Sequence, residues 1–81
     1  MKQYIPGAAA ILAAVEYAGL TAQEVYDVSV RSTDGLYEVT FATDWMRYDC
    51  YVDAADYEVL GFDSAPIPER LMLAEQIVIP A

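Results

Sequence analysis

Residues 25–42, VYDVSVRSTDGLYEVTFA, decide the fold because they contain two runs of alternating apolar and polar residues joined by Asp34-Gly35. An alternation with a period of two is typical of a strand that buries one face. An Asp-Gly pair between two such runs favours a two-residue hairpin, since both turn positions need a positive φ angle. The residues expected to face the core are Tyr26, Val28, Val30, Tyr37, Val39 and Phe41, and those expected to face outward are Asp27, Ser29, Arg31, Glu38, Thr40 and Ala42.

The same alternation continues over residues 45–62 and predicts two more strands, which follow a turn near Thr43-Asp44. The last strand is expected to span residues 57–62. The side chains predicted to face the core are Met46, Tyr48, Cys50, Val52, Tyr57 and Val59. Those predicted to face outward are Trp45, Arg47, Asp49, Tyr51, Glu58, Leu60 and Phe62.

An alanine-rich segment, residues 8–18, precedes the strands and predicts one helix, because alanine has the highest helix propensity. The stripe expected to face the sheet is Ile11, Val15 and Ala18, flanked by Ala8 and Leu12. Gly19 is expected to end the helix in a left-handed conformation, with Leu20 packing back onto it. Residues 21–24, TAQE, have capping-box spacing and predict one short helical turn before the strands.

These segments together predict an α+β fold with one N-terminal helix packed on a four-stranded antiparallel β-meander. Residues 5–63 are assigned to this domain. Residues 64–81 are assigned to a linker and a short C-terminal tail, helical or extended. The stretch DSAPIP, residues 63–68, is rich in proline and small residues, and apolar residues at helical spacing follow at Leu71, Ala74 and Ile77.

The composition excludes several classes of function. The chain has 81 residues and a net charge of −9, which opposes binding to nucleic acid. It has no histidine and one cysteine, Cys50, so zinc catalysis and serine–histidine or cysteine–histidine hydrolysis each lack a required group. We therefore expect no catalytic residue, no cofactor and no metal site.

Two apparent signals are interpreted as structural. The carboxylates Asp49, Asp53, Asp56 and Glu58 lack the spacing of a calcium loop, and we expect a solvated acidic edge in which Asp53 accepts turn N–H groups. The apolar run over residues 8–15 is interrupted by Glu16 and is shorter than the roughly 20 residues of a membrane span. We therefore predict a core-facing helix, with no signal peptide in this chain and no membrane insertion.

The chain resembles a PepSY domain, particularly the small PepSY-like modules of bacterial envelope proteins. The resemblance covers residues 5–63 and is carried by Ile5, Ala10, Ala14, Ala18-Gly19, YEVTF at 37–41, YDCYVDA at 48–54 and EVL at 58–60. It implies a helix-plus-meander fold and a non-catalytic module outside the cytoplasm. In the propeptides of thermolysin-like metalloproteases, such domains are associated with inhibition of the protease.

The sequence departs from the family pattern at two positions. Pro6 stands where the family usually has a Ser or Thr helix cap, and Tyr57 stands where the family usually has a glycine in the turn after Asp53-Ala54. That turn needs a positive φ angle, which a bulky residue adopts only with strain. We therefore expect a positive φ at Tyr57, or at Asp56 if the turn is shifted by one residue.

The predicted outward face carries more large apolar groups than a solvated sheet face usually does. Three explanations remain open: the C-terminal segment of residues 71–77 covers the face, a second copy or a neighbouring domain covers it, or it recognises another protein. The proposed function is a protein-interaction module whose partner is a protease or a neighbouring domain. The alternative is a structural module of a multi-domain envelope protein, or a homodimer. The candidate partner-binding residues are Trp45, Arg47, Tyr51, Leu60 and Phe62.

Overall fold

The computed structural model describes residues 7–67. One helix, α1 (Ala8–Tyr17), and a 3₁₀ turn (Ala22–Glu24) are followed by four strands: β1 (Tyr26–Thr33), β2 (Leu36–Ala42), β3 (Met46–Asp53) and β4 (Val59–Pro66). The strands form one antiparallel sheet in the order β1-β2-β3-β4, and α1 packs on β2, β3 and β4. The α+β meander is therefore confirmed. Ile5, Pro6 and residues 68–81 of the predicted linker and tail lie outside the described residues.

Glycines with positive φ angles flank α1 at both ends. Gly7 has φ 84°, and a Cβ placed on it would lie 2.7 Å from Cγ2 of Val30, so the helix starts where only glycine fits against the sheet. At the other end Gly19 has φ 77°, its N–H donates to Glu16 O at 2.9 Å, and Leu20 N–H donates to Val15 O at 3.1 Å. These two bonds form a Schellman motif, which confirms the predicted helix end.

The face of α1 that meets the sheet is centred on alanines. Ala10 and Ala14 are fully buried, whereas Leu12 is 58% exposed. The predicted stripe of Ile11, Val15 and Ala18 is therefore displaced by one position, although all three pack on the core. Small side chains at the contact let the helix backbone approach the sheet closely, and the core beneath them is filled by Val39, Phe41, Cys50 and Val52, which are 0% exposed.

A bulge in β1 changes the predicted facing of its first residues. Tyr26 pairs with Ala42 and Ser29 pairs with Thr40, so Asp27 and Val28 together lie opposite one residue of β2. Asp27 has φ 55°, and Val28 is 40% exposed, so its prediction as a core residue is wrong. Past the bulge the alternation resumes: Val30 pairs with Val39, and both face the core as predicted.

A second bulge, in β4, corrects the predicted facing of Phe62. Tyr51 pairs with Gly61 and Val52 pairs with Val59, so Leu60 is the extra residue. The bulge reverses the alternation beyond it, and Phe62 lies opposite the buried Cys50, on the helix side of the sheet. Its prediction as an outward residue is therefore wrong.

The strand also runs further than predicted. β4 extends to Pro66, and Ile67 N–H donates to Trp45 O at 2.9 Å, so residues 63–66 form a strand rather than a linker. The predicted domain boundary at residue 63 falls within this strand.

Two of the three turns of the meander, β1–β2 and β3–β4, use left-handed residues. Asp34 and Gly35 have φ 45° and 79°, as the two-residue hairpin requires. In the β3–β4 turn Tyr57 has φ 61°, so the predicted strained residue is Tyr57 itself and not Asp56. Tyr57 therefore belongs to the turn rather than to a strand, and its side chain is 43% exposed.

The carboxylates of the β3–β4 turn hold its backbone, as predicted for Asp53. The Asp53 carboxylate accepts the N–H of Ala55 at 2.7 Å, and the Asp56 carboxylate accepts the N–H of Glu58 at 3.0 Å. Asp53 O also accepts the Tyr57 N–H at 2.8 Å. These bonds stabilise the backbone conformation that Tyr57 must adopt.

Candidate binding surface

The face of the sheet opposite α1, called the outer face below, is a polar surface rather than an apolar patch. The strand pairings place its side chains in cross-strand rows. One row contains Arg31, Glu38, Tyr51 and Gly61, and the next contains Ser29, Thr40, Asp49 and Asp63. The expected cluster of large apolar groups is therefore not formed by the described residues.

The five candidate partner-binding residues do not form one group. Tyr51 and Arg47 lie on the outer face, in β3. Trp45, 51% exposed, lies in the turn before β3, whereas Leu60, 54% exposed, lies at the bulge near the other end of that strand. About six residues of β3 lie between Trp45 and Leu60, which places the two side chains about 20 Å apart along the strand. Phe62 lies on the inner face, with its ring centroid 5.1 Å from that of Tyr17.

Hydrogen bonds fix the side chains in the centre of the outer face. Arg31 forms an ion pair with Glu38, and the Tyr51 hydroxyl donates to Glu38 Oε2 at 3.3 Å. The ring of Tyr51 lies against Gly61, where an added Cβ would be 3.3 Å from Tyr51 Cδ2. Glycine at this position therefore leaves the space that the tyrosine ring occupies.

Asp49 and Glu38 form a carboxyl pair beside Tyr51. Burial, followed by the charge of Glu38 and a hydrogen bond to it, raises the pKa of Asp49. The hydrogen bond from Arg31 lowers the pKa of Glu38, and the bond with Asp49 lowers it further. Asp63 lies directly opposite Asp49 and adds a second repulsive charge. Asp49 therefore retains a proton to higher pH than an ordinary aspartate does.

The remaining chemistry of the described residues is sparse. Within residues 7–67 no group of three or more His, Cys, Asp or Glu side chains is placed to hold a metal ion. Cys50 is buried, and burial raises the pKa of its thiol, which keeps it in the weakly nucleophilic protonated form. Over the same residues, no helix is long and apolar enough to cross a membrane.

Two cavities lie at the margins of the sheet, and the pattern of alternation does not reveal either of them. One, of about 370 Å³, is lined by residues of the paired strands β3 and β4, including Arg47, Asp49 and Asp63. The other, of about 400 Å³, lies where the 3₁₀ turn meets the β2–β3 turn. Tyr48 lines the second cavity and also packs on the core as predicted, whereas Tyr26, which is predicted to face the core, lines the cavity without joining the core cluster. The sequence does not predict this cavity because its lining comes from separate segments, namely residues 20–26, the β2–β3 turn and β3.

Comparison with family models, with curated proteins and with solved structures finds no match to this chain. The PepSY resemblance therefore stays a prediction that depends on the residues quoted for it.

Proposed function

We propose that this chain is a non-catalytic protein-interaction module that binds a protein partner through its outer face, with Tyr51 and Arg47 as the central contacts. The observation that supports this most directly is the position of α1, which packs on the opposite face. Among residues 7–67, the outer face is therefore left to solvent, and both Tyr51 and Arg47 are exposed.

The side chains of the outer face suit protein recognition. Tyrosine and arginine are enriched among the residues that dominate binding energy at interfaces. Tyr51 is held between Gly61 and Glu38, so it loses less conformational entropy on binding than a free side chain would. The net charge of −9 favours a partner with a basic surface and speeds its association.

The PepSY resemblance suggests a more specific form of this function. In that form the module lies outside the cytoplasm and blocks a protease by steric occlusion. The direct test is to measure the activity of a thermolysin-like metalloprotease in the presence of increasing amounts of the chain. Unchanged protease activity would remove the inhibitory form and leave the binding function standing.

The binding function is tested by capturing partners on three immobilised proteins: the wild type, a Tyr51→Ala/Arg47→Ala double variant, and a Leu12→Ala control. Leu12 is exposed on the helix side, so its loss leaves the outer face intact. For a partner identified with the wild type, we expect the double variant to weaken binding about 30-fold or more, as loss of an interface hot spot does. A partner that binds all three proteins equally would show that the outer face is not the binding surface.

A second candidate function is self-association, and the open edge of β4 favours it. No described strand pairs with that edge. The backbone nitrogens of successive residues in a strand point to opposite sides. Ile67 N–H points toward β3, so Ser64 N–H and the nitrogen of Pro66 point toward the open edge. A second copy could pair with Ser64. Sedimentation at several concentrations distinguishes the two functions. A dimer that dissociates when Ser64 is replaced by proline would support self-association. A monomer at every concentration would exclude it.

A further inference from the structure

The cavity of about 400 Å³ includes three aromatic and two acidic residues in its lining. The aromatic residues are Tyr26, Trp45 and Tyr48, and the acidic residues are Glu24 and Asp44. This group is called the aromatic–acidic cavity below. Its volume falls within the range of roughly 300–1,000 Å³ that is typical of small-molecule sites.

Contacts within the fold hold the aromatic walls in place. The Tyr26 hydroxyl donates to Thr43 O at 2.8 Å, which ties the start of β1 to the β2–β3 turn. Tyr48 stacks on the buried Phe41 with ring centroids 5.0 Å apart. The rings of Tyr26 and Tyr48 therefore have defined positions before any ligand arrives, whereas Trp45 is 51% exposed at the mouth of the cavity.

The acidic side of the cavity is also fixed by local structure. The Glu24 carboxylate accepts the Thr21 N–H at 2.8 Å, which anchors it at the 3₁₀ turn. In the β2–β3 turn, Thr43 N–H donates to Met46 O at 2.9 Å, and this bond defines the loop that carries Asp44 and Trp45. A ligand can enter because Glu24, Asp44 and Trp45 are exposed.

The chemistry of the lining selects for a cation. Aromatic rings present negative faces that attract cations, and two nearby carboxylates add full negative charges. The same carboxylates repel anions, as does the net charge of −9. A divalent metal ion is disfavoured, since it needs six or more oxygen ligands and the aromatic walls supply few. A weakly hydrated cation that carries methyl groups satisfies the rings and the carboxylates together.

We propose that the aromatic–acidic cavity binds a small organic cation with a quaternary ammonium head. This inference goes beyond the protein-interaction function, because the cavity lies at one end of the sheet and uses neither Tyr51 nor Arg47. Trp45 changes its role accordingly, from a contact of the outer face to a wall of the cavity.

The test uses choline and its neutral isostere 3,3-dimethylbutan-1-ol, which has the same shape without the charge. Trp45 is the sole tryptophan of the chain, so a change in intrinsic fluorescence reports directly on the cavity. Choline is expected to change this fluorescence saturably and to bind at least about tenfold more tightly than the isostere, since a desolvated cation–π contact contributes that much. Equal affinity for both compounds, or no binding of choline, would overturn the proposal.

Variants measured by calorimetry locate the site. Trp45→Leu keeps an apolar side chain but removes the ring, and Asp44→Asn removes one carboxylate of the lining. Glu16→Gln removes an equal charge from the exposed side of α1 and serves as the control. Each cavity variant should weaken choline binding by about threefold or more. If both bind choline as tightly as the control does, the cation binds elsewhere and the proposal fails.

Vesicles of phosphatidylcholine distinguish the two sources of such a headgroup. Vesicle binding that free choline displaces would support recognition of the headgroup on a lipid surface. Binding of free choline without vesicle binding would support a soluble cation as the ligand.

Discussion

Replacing Asp49 by asparagine should stabilise the protein at neutral pH. Asp49 lies opposite Asp63 and beside Glu38, so its ionised form is repelled by two carboxylates. The amide of Asp49→Asn has nearly the same shape, carries no charge, and can donate a hydrogen bond to Glu38 at any pH. The variant thus replaces a repulsive contact by an attractive one without changing the packing.

The expected gain is about 1 kcal/mol in the free energy of unfolding. Like charges directly opposite each other in a sheet cost roughly 0.2–1 kcal/mol, and a satisfied hydrogen bond contributes roughly 0.5–1.5 kcal/mol. Asp49 is partly exposed, so solvent screens both contributions and each is expected to lie in the lower half of its range. Their sum is then about 1 kcal/mol. For a domain of this size, 1 kcal/mol raises Tm by about 4–8 °C.

The pH dependence supplies the second part of the assay. The folded state raises the pKa of Asp49 above its ordinary value of 3.8, so the native protein binds this proton more tightly than the unfolded chain does. The wild type therefore loses stability as the pH rises from about 3.8 through the folded pKa. The advantage of Asp49→Asn should be full at pH 7, shrink as the pH falls through that window, and vanish below it.

Thermal unfolding of the variant and the wild type between pH 3 and pH 8 tests this expectation. Asp44→Asn is the matched control, since it removes the same charge from an exposed turn position. If Asp49→Asn lowers Tm at pH 7, or if its advantage is the same at pH 3 and pH 7, the carboxyl-pair reasoning is refuted. An equal gain in the control would attribute the effect to net charge alone.

Three further pairs of substitutions test the turns and the register by chemical unfolding. Tyr57→Gly should be more stable than Tyr57→Ala by about 1 kcal/mol, because both lose the same ring and only glycine adopts φ 61° without strain; the opposite order would contradict the strained turn. Gly7→Ala should cost at least about 1 kcal/mol more than Gly19→Ala, since both have positive φ but only the first would clash with the sheet; equal costs would show that the clash relaxes. Phe62→Ala should cost about 2 kcal/mol and Leu60→Ala less than about 0.5 kcal/mol, and the reverse ranking would contradict the β4 bulge.

The sequence predicts the elements of this fold well and their facing less well. Asp34-Gly35 and Gly19 are correctly identified because each satisfies a local backbone requirement that few other residues meet. The two bulges are missed because Val28 and Leu60 are apolar and continue the alternation without a break. An extra residue in a strand changes only the pairing with its neighbour, which a single sequence does not display.

The candidate surface illustrates the same limit. The outward facing of Tyr51 and Arg47 is predicted correctly, because β3 has no extra residue of its own and its alternation holds throughout. Phe62 lies two residues past the β4 bulge, so one unrecognised residue moves it from the predicted binding surface to the inner face of the sheet, where it is half-buried. The aromatic–acidic cavity depends on the meeting of two turns with residues of β1 and β3, which local patterns do not specify.

Cys50 gives this protein a built-in measure of how often its interior opens. Its side chain is 0% exposed at the centre of the sheet, between Val39 of β2 and Phe62 of β4 in the strand pairing. A thiol reagent can reach it only in molecules whose sheet has separated from α1 or come apart. As the chain has no other cysteine, the rate of labelling counts those openings directly, without an introduced probe. A ligand or partner that stabilises the closed form would slow this labelling, wherever on the surface it binds.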